Sequence, residues 1–324
     1  VDGWDTAIVG GAGYYRAVYP SAAEAVTRLL RSGVVGALAE RGWIPSVAQA
    51  PFGVTGYALV LSAETPPFRV DPWDWPLSLL RDAALVYCDL NLELLRHGLG
   101  LCDGHLGNFS QDRHARPVWV DLGSIVPMPP HDLRGLQEFR DSLLHPLLLM
   151  ARGGSGRLVR GLIRGGGVDE ADTRALGISV PPVHGARDAV LRNFRDLAAG
   201  LAIANPETLW GKYDDTGVFA ARLEPAALER LPTASGQNRP ATIHHLLRTH
   251  RPLRVVDVGA NAGFFSVLAH HAGASVLALD TDDMAIEKLY HFLRTGPARG
   301  GIQVAVRSVF SKENRPRGDA AIAL

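Results

Sequence analysis

The sequence predicts an α/β fold, with a parallel sheet in its C-terminal part and an α+β region before it. Residues 253–283 spell a strand, a glycine turn, a helix and a second strand in that order, which is the pattern of a βαβ unit. Upstream, extended and helical stretches are mixed, as in α+β domains. We therefore divide the 324 residues into an α+β domain at 1–205, a connecting segment at 206–240 and a Rossmann-like domain at 241–324.

The first strand of the βαβ unit is a short β-branched run made of Val255, Val256 and Val258. Such a run is typical of a strand that is buried on both faces of a parallel sheet. Asp257 falls near the carboxyl end of this strand. Open α/β sheets bind ligands at that edge, so we expect Asp257 to lie beside a ligand site.

A glycine turn follows the first strand at once. Gly259 and Gly263 bracket the turn, so the backbone can bend sharply and a ligand can approach the amides that open the next helix. The second strand ends in Asp280, which lies 23 residues after Asp257. A carboxylate at this distance suits a ribose, because it can accept hydrogen bonds from two neighbouring hydroxyls. The pattern predicts a nucleotide-type ligand site, and an ordinary βα turn is the alternative.

The choice of ligand comes from a resemblance. The run DVGANAGFFS resembles the first motif of class I S-adenosylmethionine-dependent methyltransferases. The resemblance implies that Asp257, Gly259 and Gly263 surround the methionine portion of S-adenosylmethionine and that Asp280 takes the ribose hydroxyls. Asn261 stands where many relatives have a third glycine, and asparagine tolerates the left-handed backbone better than most residues. A dinucleotide dehydrogenase would prefer glycine at that position.

The rest of the C-terminal sequence predicts a helix at 285–294, a third strand at 302–306 and a fourth strand at 319–324. Right-handed crossovers from the first strand then give about four parallel strands in the order 3-2-1-4. The chain begins at Val1 without a methionine and stops at Leu324 inside this pattern. We therefore expect it to be a fragment of a longer protein.

Composition predicts a globular, cytoplasmic protein without a nucleic-acid or membrane partner. Lysine plus arginine and aspartate plus glutamate both total 33, so no net charge attracts polyanions. The only cysteines, Cys88 and Cys102, are too few for a disulfide framework. No apolar run approaches the ~20 residues that span a bilayer. His244, His245 and His250 lack the spacing and the companion ligands of a zinc site, so we predict no such metal site.

A second motif follows a long predicted helix at 77–97. Asp103 and Asn108 are five residues apart, and Asp121 comes 18 residues after Asp103, behind an apolar strand and before a Leu-Gly pair. This pattern resembles the catalytic loop and the metal-binding aspartate of protein kinases and aminoglycoside phosphotransferases. The resemblance implies that Asp103 is the base and that Asn108 and Asp121 are magnesium ligands.

Two observations weigh against phosphoryl transfer. Asp103-Gly104 is also a strong hairpin signal, which needs no catalysis to explain it. No lysine occurs before Lys212, so the lysine that holds ATP phosphates in kinases is missing, and an arginine such as Arg16 fits that role poorly. We predict a kinase-like domain that keeps the shape of the loop and does not transfer phosphate.

The two motifs together resemble a bacterial family of predicted methyltransferases, some of them labelled nodulation-related, with a kinase-like region before the methyltransferase domain. The resemblance implies an S-adenosylmethionine-dependent methyltransferase. The sequence does not identify its acceptor, for which a small molecule or a glycan is one candidate. Two other functions stay open. One is an active small-molecule phosphotransferase that uses Asp103, and the other is a non-enzymatic module that binds the cofactor for regulation.

Overall fold

The computed structural model describes residues 5–10, 13–180, 182–203, 239–295 and 300–309. The chain is a mixed α/β protein that divides into two compact units, Val1–Asn205 and Pro206–Leu324. The predicted connecting segment lies almost wholly outside the described residues, and so does the predicted fourth strand. None of the helices within the described ranges has the length and apolar composition needed to cross a membrane.

The first unit begins with a four-stranded antiparallel sheet in the order β1-β2-β4-β3. Its strands are β1 Asp5–Gly10, β2 Gly13–Val18, β3 Val47–Gln49 and β4 Leu59–Ala63. Helices α1 (Ala23–Arg31) and α2 (Val34–Glu40) lie between β2 and β3 in the chain. Buried Val18, Val26 and Leu61 form a small core cluster contributed by β2, α1 and β4, so apolar burial fixes α1 against the sheet.

The predicted long helix is α3, Leu77–Leu95. It ends just before Gly98, whose φ of +70° is a left-handed conformation that glycine adopts without strain. Buried residues lie on most sides of α3, and its Tyr87 stacks on Phe139 with ring centroids 4.1 Å apart. Helix α3 is therefore the centre of the core of this unit.

Two small antiparallel ladders follow α3. Strand β5 (Leu99–Leu101) pairs with β8 (Ile125–Pro127), and β6 (Phe109–Gln111) pairs with β7 (Pro117–Trp119). Asp103-Gly104 therefore lies between two strands that pair with other partners, and the hairpin interpretation of this dipeptide is wrong. The ladders instead deliver the loop residues to one place, as described below.

The remaining helices of the first unit are α4 Leu136–Phe139, α5 His145–Ala151, α6 Gly156–Arg164, α7 Glu170–Ala175 and α8 Arg187–Ala199. A π-helical turn, Arg140–Leu144, joins α4 to α5. It lies just before Pro146, which has no N–H to donate to the preceding turn, so the wider turn accommodates the proline. The helical segment is thus continuous from Leu136 to Ala151 through Pro146.

The second unit contains α9 Arg239–His250, β9 Arg254–Val258, α10 Phe264–His271, β10 Ser275–Asp280, α11 Asp283–Thr295 and β11 Ile302–Val306. The three strands are parallel, and their order is β11-β10-β9. This is the predicted 3-2-1 part of the order, and it places the carboxyl ends of β9 and β10 side by side.

The prediction that the first strand is buried on both faces is wrong for the described residues. The side chains of Val256 and Val258 are 45% and 50% exposed. Within the described residues β9 bonds only to β10, and its residues alternate between half-buried and exposed. The other two strands are more buried. Every residue of β11 is buried, and the residues of β10 are buried or half-buried.

Candidate functional site

The glycine turn connects β9 to α10 through three residues with left-handed backbone. These are Gly259 at φ +72°, Asn261 at φ +51° and Gly263 at φ +90°. Asparagine is one of the few residues other than glycine that adopts this region readily, as expected from the sequence. The N–H groups of Gly259 and Ala260 both donate to the carbonyl of Leu279, at 2.9 and 3.0 Å, which ties the turn to the end of β10.

Asp280 completes this connection with its side chain. Its Oδ2 accepts the backbone N–H of Asn261 at 2.8 Å, and its Oδ1 accepts that of Asp282 at 2.9 Å. The predicted acid therefore lies directly beside the predicted turn. Each carboxylate oxygen can accept a second hydrogen bond, so Asp280 can bind two ribose hydroxyls while it holds the turn.

Asp257 lies at the same edge and is half-buried. Its Oδ2 accepts the hydroxyl of Ser266 at 2.7 Å. Burial raises the pKa of Asp257, the Ser266 hydrogen bond and the nearby Arg239 oppose that rise, and the charge of Asp280 adds to it. Two carboxyl groups that interact in this way favour a positively charged ligand, because such a ligand stabilises the ionised form of both.

The two glycines differ in what surrounds them. No atom lies within 4 Å of the position that a Cβ on Gly259 would occupy, whereas a Cβ on Gly263 would overlap the side chain of Leu289. Gly263 thus permits close packing of α11 against the start of α10, and Gly259 leaves open space beside the turn. The residues present fit S-adenosylmethionine, whose ribose and methionine ends would meet Asp280 and the open side of Gly259.

The loop region at residues 103–121 of the first unit brings its predicted site residues towards one another. The carbonyl of Asn108 accepts the N–H of Val120 at 2.8 Å, so Asn108 lies next to Asp121 at the end of the β6–β7 ladder. Asp103 turns the loop locally, since its Oδ1 accepts the N–H of His105 at 2.8 Å. The charge of Asp103 also contributes to the raised pKa of Asp121, which indicates that the two carboxyl groups are near each other.

Arg16 on β2 neutralises Asp121. Its Nη1 donates to Asp121 Oδ1 at 3.2 Å and its Nη2 to the carbonyl of Val120 at 2.6 Å. Burial is the main cause of the raised pKa of Asp121, and Arg16 opposes it. A guanidinium therefore stands where the resemblance would put a magnesium ion, so the residues fit that ion poorly. In the described part of the chain no three His, Cys, Asp or Glu side chains are grouped to hold a metal.

Sequence reasoning missed Glu138 and Gly135, which fix the position of the Asp103 loop. Glu138 Oε2 accepts the N–H of Gly104 at 3.1 Å. A Cβ on Gly104 would overlap the carbonyl of Gly135, so glycine is needed for this approach. Burial and the neighbouring Asp103 carboxyl raise the pKa of Glu138. The 34 residues between Gly104 and Glu138 leave no local sequence signal for the contact.

Arg187 is a third residue that the sequence did not reveal. It is fully buried at the start of α8 and donates four hydrogen bonds of 2.7 to 2.9 Å. The acceptors are the carbonyls of Asp132, Arg134 and Leu101 and the side-chain oxygen of Asn91. This arginine therefore joins α3, the end of β5 and the loop before α4 behind the Asp103 loop.

Comparisons with known proteins give one informative similarity. No protein-family model matches the chain. Among curated proteins the chain is similar to the nodulation protein NoeA of Rhizobium meliloti (strain 1021), with 22% identity over 257 residues. The aligned residues make up 68% of this chain and 51% of NoeA, so the chain spans about half the length of that relative. The similarity supports a distant relationship to a nodulation protein.

Proposed function

We propose that the second unit binds S-adenosylmethionine and belongs to a class I methyltransferase. The observation that carries the proposal is the hydrogen bond from Asn261 N–H to Asp280 Oδ2. It joins the glycine turn and the ribose-type acid at the carboxyl edge of parallel strands, which is where nucleotide ligands bind in open α/β sheets. The pattern of residues in DVGANAGFFS and the 3-2-1 strand order support the same proposal.

The charge of the site favours S-adenosylmethionine over NAD. Asp257 and Asp280 both lie at this edge, and their charges interact. A sulfonium cofactor with a net positive charge suits two carboxylates, whereas a pyrophosphate beside them would be repelled. Together with Asn261 at the position where a dinucleotide dehydrogenase would prefer glycine, the two carboxylates favour a methyltransferase over such a dehydrogenase.

Within this proposal the protein contributes binding and orientation. When bound, the cofactor would supply a methyl group on its sulfonium sulfur. An oxygen, nitrogen or carbon of the acceptor would bond to the methyl carbon as the carbon–sulfur bond breaks, and S-adenosylhomocysteine would leave. Asp280 fixes the ribose, Gly259 leaves room for the chain that carries the sulfonium, and Asp257 holds the start of α10 through Ser266. Proximity and orientation then account for the rate. The acceptor in this proposal is a small molecule or a glycan.

Calorimetric titration of the full chain with S-adenosylmethionine and, separately, with NAD tests the proposal. We expect saturable binding of S-adenosylmethionine and no binding of NAD. Binding of NAD with the tighter dissociation constant would contradict it. Cofactor binding without methyl transfer to any small-molecule or glycan acceptor would favour the regulatory module instead.

We propose further that the first unit is a kinase-like domain that has lost phosphoryl transfer. The adjacency of Asn108 and Asp121 supports the kinase-like shape, and the Arg16–Asp121 ion pair supports the loss of activity. Electrostatic stabilisation of the transferred phosphoryl group is the main requirement of such reactions, and here the nearest cation is engaged by the carboxylate itself. Magnesium-dependent ATP turnover that Asp103→Asn abolishes would establish the phosphotransferase alternative.

A further inference from the structure

The guanidinium of Arg239, a residue outside the predicted motif, lies beside the glycine turn. Arg239 is the first residue of α9, and its Cζ lies 5.0 Å from the ring centroid of Phe265. Phe265 is the second residue of α10, directly after the turn. The cation–π contact therefore holds the guanidinium at the start of α10.

Among the described residues no hydrogen-bond acceptor is recorded for the Arg239 guanidinium. The residue is exposed, and among the described residues no carboxylate forms an ion pair with it. Its charge is nevertheless felt at Asp257 on β9. A positive group and a negative group thus both lie beside the first turn of α10, Arg239 on Phe265 and Asp257 on Ser266.

We propose that Arg239 binds the α-carboxylate of the methionine end of S-adenosylmethionine. This inference rests on the proposed function. The methionine end is a zwitterion, with one carboxylate and one ammonium group. Arg239 provides the fork of N–H donors that fits a carboxylate, and Asp257 provides negative charge on the ammonium side. The stack on Phe265 positions the guanidinium in advance, which lowers the entropic cost of binding.

The experiment compares ligands that differ in the carboxylate. Calorimetry on the full chain uses S-adenosylmethionine and its decarboxylated form, which keeps the adenosyl, sulfonium and ammonium groups. The variants are Arg239→Gln and Arg239→Lys, and the matched control is Arg248→Gln, an exposed arginine on the same helix. Circular dichroism on each variant verifies that it is folded.

We expect Arg239→Gln to weaken binding of S-adenosylmethionine about tenfold, within the range for a charge-assisted hydrogen bond to a partly exposed group. Binding of the decarboxylated ligand should change less than about twofold, because it lacks the group that Arg239 contacts. Arg239→Lys keeps the positive charge, so its affinity for S-adenosylmethionine should fall less than that of Arg239→Gln. Arg248→Gln should bind both ligands like the unaltered chain.

Other outcomes separate this inference from the proposed function. If Arg239→Gln weakens both ligands equally, the residue acts by packing on Phe265 and the inference is wrong. If it weakens neither, Arg239 does not contact the cofactor. If the unaltered chain binds neither ligand, the proposed cofactor itself is wrong, and the inference falls with it.

Discussion

Arg16 and Asp121 form an ion pair at 3.2 Å across 105 residues of sequence, with side chains that are 7% and 25% exposed. The pair joins β2 of the antiparallel sheet to the loop that follows β7. It also places the guanidinium of Arg16 on the carboxylate that the kinase resemblance assigns to a metal. The same contact therefore bears on both the stability and the activity of this unit.

Replacing Arg16 should destabilise the first unit. Arg16→Ala leaves a largely buried carboxylate without its cation, and we expect a loss of about 3 kcal/mol in the free energy of unfolding. Arg28→Ala is the matched control, because Arg28 pairs with Glu24 on the exposed surface of α1 and should cost about 0.5 kcal/mol or less. Urea denaturation followed by circular dichroism measures both. A double-mutant cycle with Asp121→Ala should show coupling, and purely additive losses would contradict the ion-pair account.

Replacing Arg187 should destabilise the first unit more than replacing Arg16 does. Arg187→Ala removes four hydrogen bonds from a fully buried site and leaves three backbone carbonyls and Asn91 without that donor. We expect a loss of about 3–5 kcal/mol in the free energy of unfolding. Arg187→Lys should recover little, because an ammonium cannot reproduce the planar fork. Arg192→Ala, at an exposed position on the same helix, should change it by about 0.5 kcal/mol at most. Equal effects at the two positions would refute the assigned role of Arg187.

Sequence predicted the parts of the structure that depend on neighbouring residues. The glycine turn, Asn261 and Asp280 all fall within one βαβ unit, so spacing was sufficient to bring them together. Asn108 and Asp121 meet because a short ladder joins them. The contacts that sequence did not reveal are those of Arg187 and Glu138, which join distant segments. Their partners are mostly backbone groups, which carry no residue-specific signal. Exposure of Val256 was also missed, because a β-branched run does not show how many neighbours a strand has.

His145 should make the first unit less stable in mild acid. It is fully buried, and its Nδ1 donates to the carbonyl of Val168 at 2.6 Å, with Asp141, Arg140 and Glu170 as its charged neighbours. Burial lowers the pKa of His145, so the unfolded chain binds a proton more readily than the folded one. The contribution of neutral His145 to the free energy of unfolding is therefore complete above the ordinary histidine pKa of about 6.5. It falls as the pH drops below that value.

The test compares the chain with His145→Asn, whose side-chain amide can donate to Val168 and does not titrate. Urea denaturation at several values between pH 7 and pH 5 should show that the unaltered chain loses stability relative to the variant as pH falls. The relative loss should be at most about 1.4 kcal/mol per pH unit. Parallel pH curves for the two proteins would mean that His145 is not the titrating group.

The affinity of the full chain for S-adenosylmethionine with and without the Asp280 carboxylate tests the central claim most directly. Asp280→Ala removes the acceptor of Asn261 N–H, which is also the acceptor that we propose for the ribose hydroxyls. Calorimetry should show binding weakened by about 1–3 kcal/mol. The matched control is Asp282→Asn, two residues further on, where the side chain accepts the N–H of Ala285 in α11. The control should bind like the unaltered chain. Unchanged affinity in a folded Asp280→Ala chain, or no binding of S-adenosylmethionine by the unaltered chain, would contradict the assignment.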